Sequence, residues 1–136
     1  MQLYLKLAVG CRARQGRIVS EINGYTAAQV TCEDGTTNGY RVYGSGPGLV
    51  LVHGATQTSH NSSRRAELMA TTHTVFGARE MSGLHGSHYY LAREREDVEA
   101  LQKATGATDI FGLSSGAIVA LETARANPGP AVSRTV

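Results

Sequence analysis

One stretch constrains this chain more than any other: Asp109-Ile-Phe-Gly-Leu-Ser-Ser-Gly-Ala117 runs an apolar strand into Gly-x-Ser-x-Gly and on into an apolar helix. A serine in that setting sits at a sharp strand-to-helix bend with its hydroxyl projecting above the sheet, the geometry of a nucleophile elbow. Gly112 and Gly116, two residues to either side of Ser114, are expected to leave space where a larger side chain would collide. No histidine follows Ser114 as far as Val136. The sequence therefore names a nucleophile without naming its base.

The elements around this motif alternate. Val30 to Glu33 and Gly39 to Tyr43 read as antiparallel strands about the turn signal Asp34-Gly35. After the turn cluster Gly44-Ser-Gly-Pro-Gly48, the run Leu49-Val-Leu-Val-His53 is apolar without alternation, which predicts a strand covered on both faces. A helix over Ser62 to Ala70, a strand over Thr72 to Phe76 and a helix over Leu91 to Ala104 follow. The motif strand is expected over Thr108 to Leu113, and its helix over Ser115 to Ala126 is closed by Asn127-Pro-Gly129. Ala117, Ile118, Val119, Ala120, Leu121 and Ala124 predict that this last helix is nearly buried, and Ala131 to Val136 read as the start of one more strand. Met1 to Gln29 show no clean period and read either as a first short strand or as a loose extension, of unassigned role, with one domain over 30–136.

Composition narrows the function classes. A chain of 136 residues with 41% hydrophobic and 18% charged residues has the make-up of one globular domain. Its net charge of +2 argues for neither a nucleic-acid nor a membrane partner, and Lys6, Arg12, Arg14 and Arg17, all ahead of the first acid Glu21, read as a solvated arm. Cys11 and Cys32 lack metal-type spacing and make no disulfide framework, so a reduced, cytoplasmic setting is expected. Leu3 to Cys11 is faintly like a lipoprotein signal, but Lys6 interrupts it and no basic residue precedes it. No run approaches the length of a membrane span. Asn61-Ser62-Ser63 fits a glycosylation acceptor, which has meaning only in a secreted chain.

A serine hydroxyl needs a base, a group that orients the base, and donors for the developing oxyanion. Ser114 supplies the nucleophile, and the backbone N–H of Ser115 at the helix start supplies one donor. The loop after the Leu49 to His53 strand reads His53-Gly-Ala-Thr56, and the Ala55 N–H is the candidate second donor, with Gly54 and His53 supporting the loop. Blander readings stand beside these. Gly112 to Gly116 also fits a tight turn without chemistry, and it lacks both phosphate-loop spacings. His85-Gly-Ser-His88 has no third ligand, so no metal is expected, and Tyr89 and Tyr90 fit loop packing. The run Arg93-Glu-Arg-Glu-Asp97 reads as the wet face of its helix.

Gly44-Ser-Gly-Pro-Gly-Leu-Val-Leu-Val-His-Gly54 followed by Phe111-Gly-Leu-Ser-Ser-Gly116 resembles the α/β-hydrolase family, over roughly Cys32 to Ala131. The resemblance implies a mostly parallel sheet, an oxyanion loop at His-Gly, an elbow after the fifth strand, and a triad in the order serine, acid, histidine. Only Glu122 follows Ser114 among the acids, and helix geometry carries it away from the hydroxyl. His53, His60, His73, His85 and His88 all precede the serine and none matches the family's catalytic histidine, so no base or acid is carried over. The stretch Gly77-Ala-Arg-Glu-Met-Ser-Gly83 also departs from the family's Asp-x-x-Gly-x-Gly-x-Ser loop.

The fold class expected is α/β: a three-layer αβα arrangement with a mostly parallel sheet, a truncated core of the α/β-hydrolase type. The function expected is hydrolysis of a small ester or related carbonyl compound through a Ser114 acyl-enzyme, with no cofactor. The rival is an inactive hydrolase fragment acting as an interaction module, since loss of the base lowers turnover on the order of a million-fold. Missing later strands would bare an apolar sheet edge, from which self-association is expected.

Overall fold

The computed structural model describes residues 14–22, 24–31, 37–54, 63–78 and 91–127. They build six strands, β1 (Arg14–Ile22), β2 (Tyr25–Thr31), β3 (Thr37–Tyr43), β4 (Gly48–Val52), β5 (Thr74–Ala78) and β6 (Asp109–Gly112). Three helices accompany them: α1 (Ser63–Met69), α2 (Leu91–Thr105) and α3 (Ser115–Ala126). The strands form one sheet in the order β1-β2-β3-β5-β4-β6.

The sheet is mixed, and connection length explains the division. β1, β2 and β3 follow one another through short links and pair antiparallel, and β3 continues antiparallel onto β5. From β4 onward a helix separates each strand from the next, and β4 pairs parallel with both β5 and β6. Among the described strands the parallel part is thus the smaller one, against the expectation of a mostly parallel sheet, while the three-layer αβα arrangement is present. The chain crosses from β5 back over β4 to reach β6, so α1 and α2 lie on opposite faces.

β4 anchors both cores, which is why its sequence is apolar without alternation. Val50 and Val52 face a cluster with Ala28, Val30, Tyr40, Ile110, Val98, Leu101, Val119 and Ala120, under α2 and α3. Leu49 and Leu51 face the opposite cluster with Tyr43, Val75 and Ala66, under α1. Successive side chains of a strand point to opposite faces, so four consecutive buried residues require a layer on each side.

Three expectations change. The boundary at Gln29 falls inside β2, whose Ala28 and Val30 enter the core beside α2 and α3. Upstream, Ile22 pairs with Tyr25 and Gly24 takes φ 87°, so two paired strands, β1 and β2, stand where one short strand at most was expected. Helix α3 buries Gly116, Val119, Ala120 and Thr123, one stripe at helical spacing, but leaves Ile118 57% and Leu121 59% exposed. A helix resting on a sheet buries one face whatever the composition of the other. The hydroxyl of buried Thr123 is satisfied by donating to the Val119 carbonyl at 2.8 Å.

The charged run on α2 is also more than a wet face. Asp97 accepts from Asn38 Nδ2 at 2.9 Å, tying α2 to β3. Arg95 lies 3.2 Å from Glu99 and 3.9 Å from Glu122, bridging α2 to α3. No helix among the described residues is long and apolar enough to cross a membrane. Residues 131–136, expected to start a strand, and Cys11 and Cys32 lie outside the described residues.

The central position of β4 makes a stability prediction. Val50→Ala, at a side chain with 0% exposure, should lower stability in urea denaturation by about 2 kcal/mol. Leu68→Ser, at a side chain 68% exposed on α1, should change it by less than about 0.5 kcal/mol.

Candidate active site

Parallel strands end on the same side of a sheet, so the residues after β4 and after β6 emerge together as neighbours. The ladder runs past the end of β6, where the Leu113 N–H donates to the Val52 carbonyl at 3.1 Å. The chain then reverses into α3. The Gly116 N–H donates to Leu113 at 2.9 Å and the Ala117 N–H to Ser114 at 2.9 Å, two i to i+3 bonds that tighten the first turn.

Ser114 occupies the N-cap of α3 at φ 58° and ψ −124°, and it is the only non-glycine residue at positive φ among the described residues. A serine with a β-carbon is strained there, and such strain is held only where the surroundings over-determine it. An N-cap serine ordinarily accepts a hydrogen bond from the first helical turn, but the Ser114 side chain makes no such cap. It is exposed on the side of the sheet where β4 and β6 end.

The surroundings that over-determine Ser114 are backbone contacts at its two glycines. A β-carbon on Gly116 would collide with the Val52 carbonyl oxygen and lie 2.8 Å from that of His53. One on Gly112 would collide with the Gly116 carbonyl and lie 2.6 Å from the Ala117 Cα. The Gly-x-Ser-x-Gly spacing is thus a packing requirement: both ends of the turn press on backbone that cannot retreat.

Gly54 stands against this turn. A β-carbon built on it would lie 3.3 Å from the Ser114 Cβ and 3.7 Å from its Oγ. The preceding residue, His53, donates from Nδ1 to the Gly54 carbonyl at 2.9 Å, a bond that leaves Nε2 as the ring's acceptor. Ala55, the expected second oxyanion donor, lies outside the described residues. Ser115, the expected first donor, opens α3.

The other titratable groups divide by position. His73 precedes β5, at the end of the sheet opposite Ser114, where Nδ1 and the Thr72 hydroxyl are 2.7 Å apart. Glu122 receives two hydrogen bonds from Arg125, at 2.9 Å and from Nη2 at 2.6 Å. These bonds, joined by the charges of Arg125 and Arg95, hold its carboxyl below the usual carboxylate range. It is committed to the α2–α3 surface, as the helix geometry implies. His60, His85 and His88 lie outside the described residues, as does 79–90. No cluster of metal-ligating side chains occurs among the described residues.

One feature of the site has no counterpart in the sequence reading. Beside His53 and Gly54 a cleft opens between α2 and strands β2, β3 and β4, lined by Val30, Tyr40, Val52, Val98 and Leu101 together with Glu94 and Asp97. Burial in this region pushes the Tyr40 phenol up from its ordinary value.

The strain at Ser114 is measurable. Ser114→Gly should be more stable than Ser114→Ala by about 1 kcal/mol, because glycine alone tolerates this backbone. Gly116→Ala should cost about 2 kcal/mol or more, since its β-carbon meets carbonyl oxygens. Urea denaturation of the three variants checks both statements, and equal stability of the two Ser114 variants would contradict the first.

No protein-family model and no curated protein matches the sequence, whereas solved structures do. An α/β hydrolase from Sphaerobacter thermophilus is 34% identical, over 79% of this chain and 42% of its own, with a TM-score of 0.67. A hydrolase from Pseudomonas aeruginosa is 26% identical over 80% of this chain and 44% of its own, with a TM-score of 0.70. An esterase from Exiguobacterium antarcticum shares the fold at 18% identity, over 79% of this chain and 42% of its own, with a TM-score of 0.69. The chain spans less than half the length of each. Its strand order and these likenesses give it the α/β-hydrolase fold, of which it carries part of the core.

Proposed function

We propose that this chain carries the nucleophile and oxyanion side of a serine hydrolase for small esters. Ser114 Oγ attacks the ester carbonyl carbon and gives up its proton to a base. The alcohol leaves with a proton, and water then hydrolyses the resulting serine ester. The N–H groups of Ser115 and Ala55 stabilise the oxyanion that develops on the carbonyl oxygen.

The observation that carries this reading is the backbone of Ser114. A serine held at positive φ, exposed, and not capping its own helix is hard to account for as architecture. The likeness to an α/β hydrolase at 34% identity supports the same chemistry. Of the described histidines, His73 stands at the wrong end of the sheet and cannot serve Ser114, so a base would have to be presented from elsewhere.

The test is hydrolysis of p-nitrophenyl butyrate by the full chain and by Ser114→Ala. Turnover above the buffer rate that is lost in the variant is expected. Without a base presented to Ser114, turnover falls on the order of a million-fold, and identical rates for the two proteins would refute the reading.

A second reading, an interaction module, is favoured by one observation. Ile118 and Leu121 stand exposed on α3, beside β6, whose outer side pairs with no strand among the described residues. Apolar side chains next to an open strand edge are a template for association. Light scattering at micromolar concentration should then show a dimer or larger species, and Ile118→Ser with Leu121→Ser should shift it toward monomer. A monodisperse monomer of the unmodified chain would contradict this reading.

A further inference from the structure

We propose that the cleft between α2 and the C-terminal end of β4 is a subsite for the uncharged, apolar arm of the substrate; it rests on Ser114 being the nucleophile. The cleft is built by helical spacing. Glu94, Val98 and Leu101 recur along one face of α2, so a carboxylate is followed by two apolar side chains as the helix runs over the sheet. Across from them the cleft is lined by Val30 and Tyr40, both buried.

Two features say what this cleft would accept. The first is that the cleft and the candidate active site share Gly54. Gly54 lines the cleft and also abuts Ser114, with a β-carbon at Gly54 falling 3.7 Å from the serine Oγ. An acyl or alkyl arm attached to a carbonyl at Ser114 therefore has one residue without a side chain between it and an apolar wall. A side chain at Gly54 would press on Ser114, its β-carbon 3.3 Å from the serine Cβ.

The second is charge. Glu94 and Asp97 both line the cleft, and Asp97 is held by Asn38 Nδ2 at 2.9 Å. In a partly dry site a like charge is repelled more strongly than in bulk water. An apolar arm ending in a carboxylate is disfavoured, whereas an uncharged one gains from leaving water. Ester substrates with neutral hydrocarbon arms are the class that fits, and diacid half-esters are the class excluded.

The test reads binding separately from catalysis. Amide spectra of the full chain are titrated with 1-hexanol and with hexanoate, in the unmodified protein, in Ser114→Ala and in Glu94→Gln. Hexanol should perturb the amides of Gly39, Gly54, Val98 and Leu101 in all three. Hexanoate should bind about fivefold more weakly than hexanol to the unmodified chain, and within about twofold of it to Glu94→Gln. Hexanol that leaves these amides unmoved overturns the subsite, and hexanoate binding as well as hexanol to the unmodified chain overturns its charge selectivity. Hexanol binding in a chain that cannot hydrolyse p-nitrophenyl butyrate removes the Ser114 reading and leaves an apolar ligand cleft. Hydrolysis without hexanol binding removes the subsite alone.

Discussion

The structure depends on one close approach of backbone to backbone. Helix α3 begins against the end of β4 so tightly that Gly116 has no room for a β-carbon beside the Val52 and His53 carbonyl oxygens. The hydrogen bond from Leu113 to Val52 extends the β4–β6 pairing to the threshold of the turn. Between these two restraints the chain must reverse within a few residues, and Ser114 takes the positive φ that the reversal demands. Packing of a helix on a strand thereby places a hydroxyl where the sheet cannot cover it.

The rest of the molecule serves to hold β4 and β6 still. β4 is the middle of the parallel part and contributes to both cores, with α1 on one face and α2 and α3 on the other. The antiparallel strands β1 to β3 widen the sheet and carry Tyr40 and Val30 to the face beneath α2. The polar contacts of α2, to Asn38 on one side and to Glu122 on the other, set its position over that face. The cleft beside Gly54 follows from where α2 is placed, so the same packing that fixes the serine also shapes the space next to it.

Much of this was legible in the residues, for physical reasons. A strand buried on both faces must be apolar at every position, and Leu49 to Val52 are. A helix that starts in contact with a neighbouring strand needs glycine at the contact, and Gly112 and Gly116 stand there. What failed had equally physical causes. The composition of α3 concealed which face was covered, because Ile118 and Leu121 are as apolar as Val119 and Ala120. The Asn23-Gly24 turn signal was present but lay in a segment without clear alternation. The cleft depends on α2, β2 and β3 meeting across long sequence separations, and no local pattern encodes that.

The central claim is that Ser114 is an activated nucleophile rather than inherited architecture. Intact-mass analysis of the full chain after exposure to a fluorophosphonate, with Ser114→Ala alongside, addresses it most directly. The account predicts a single adduct on the unmodified chain and none on the variant. A folded chain that takes up no adduct, or a variant that is labelled equally, would contradict it.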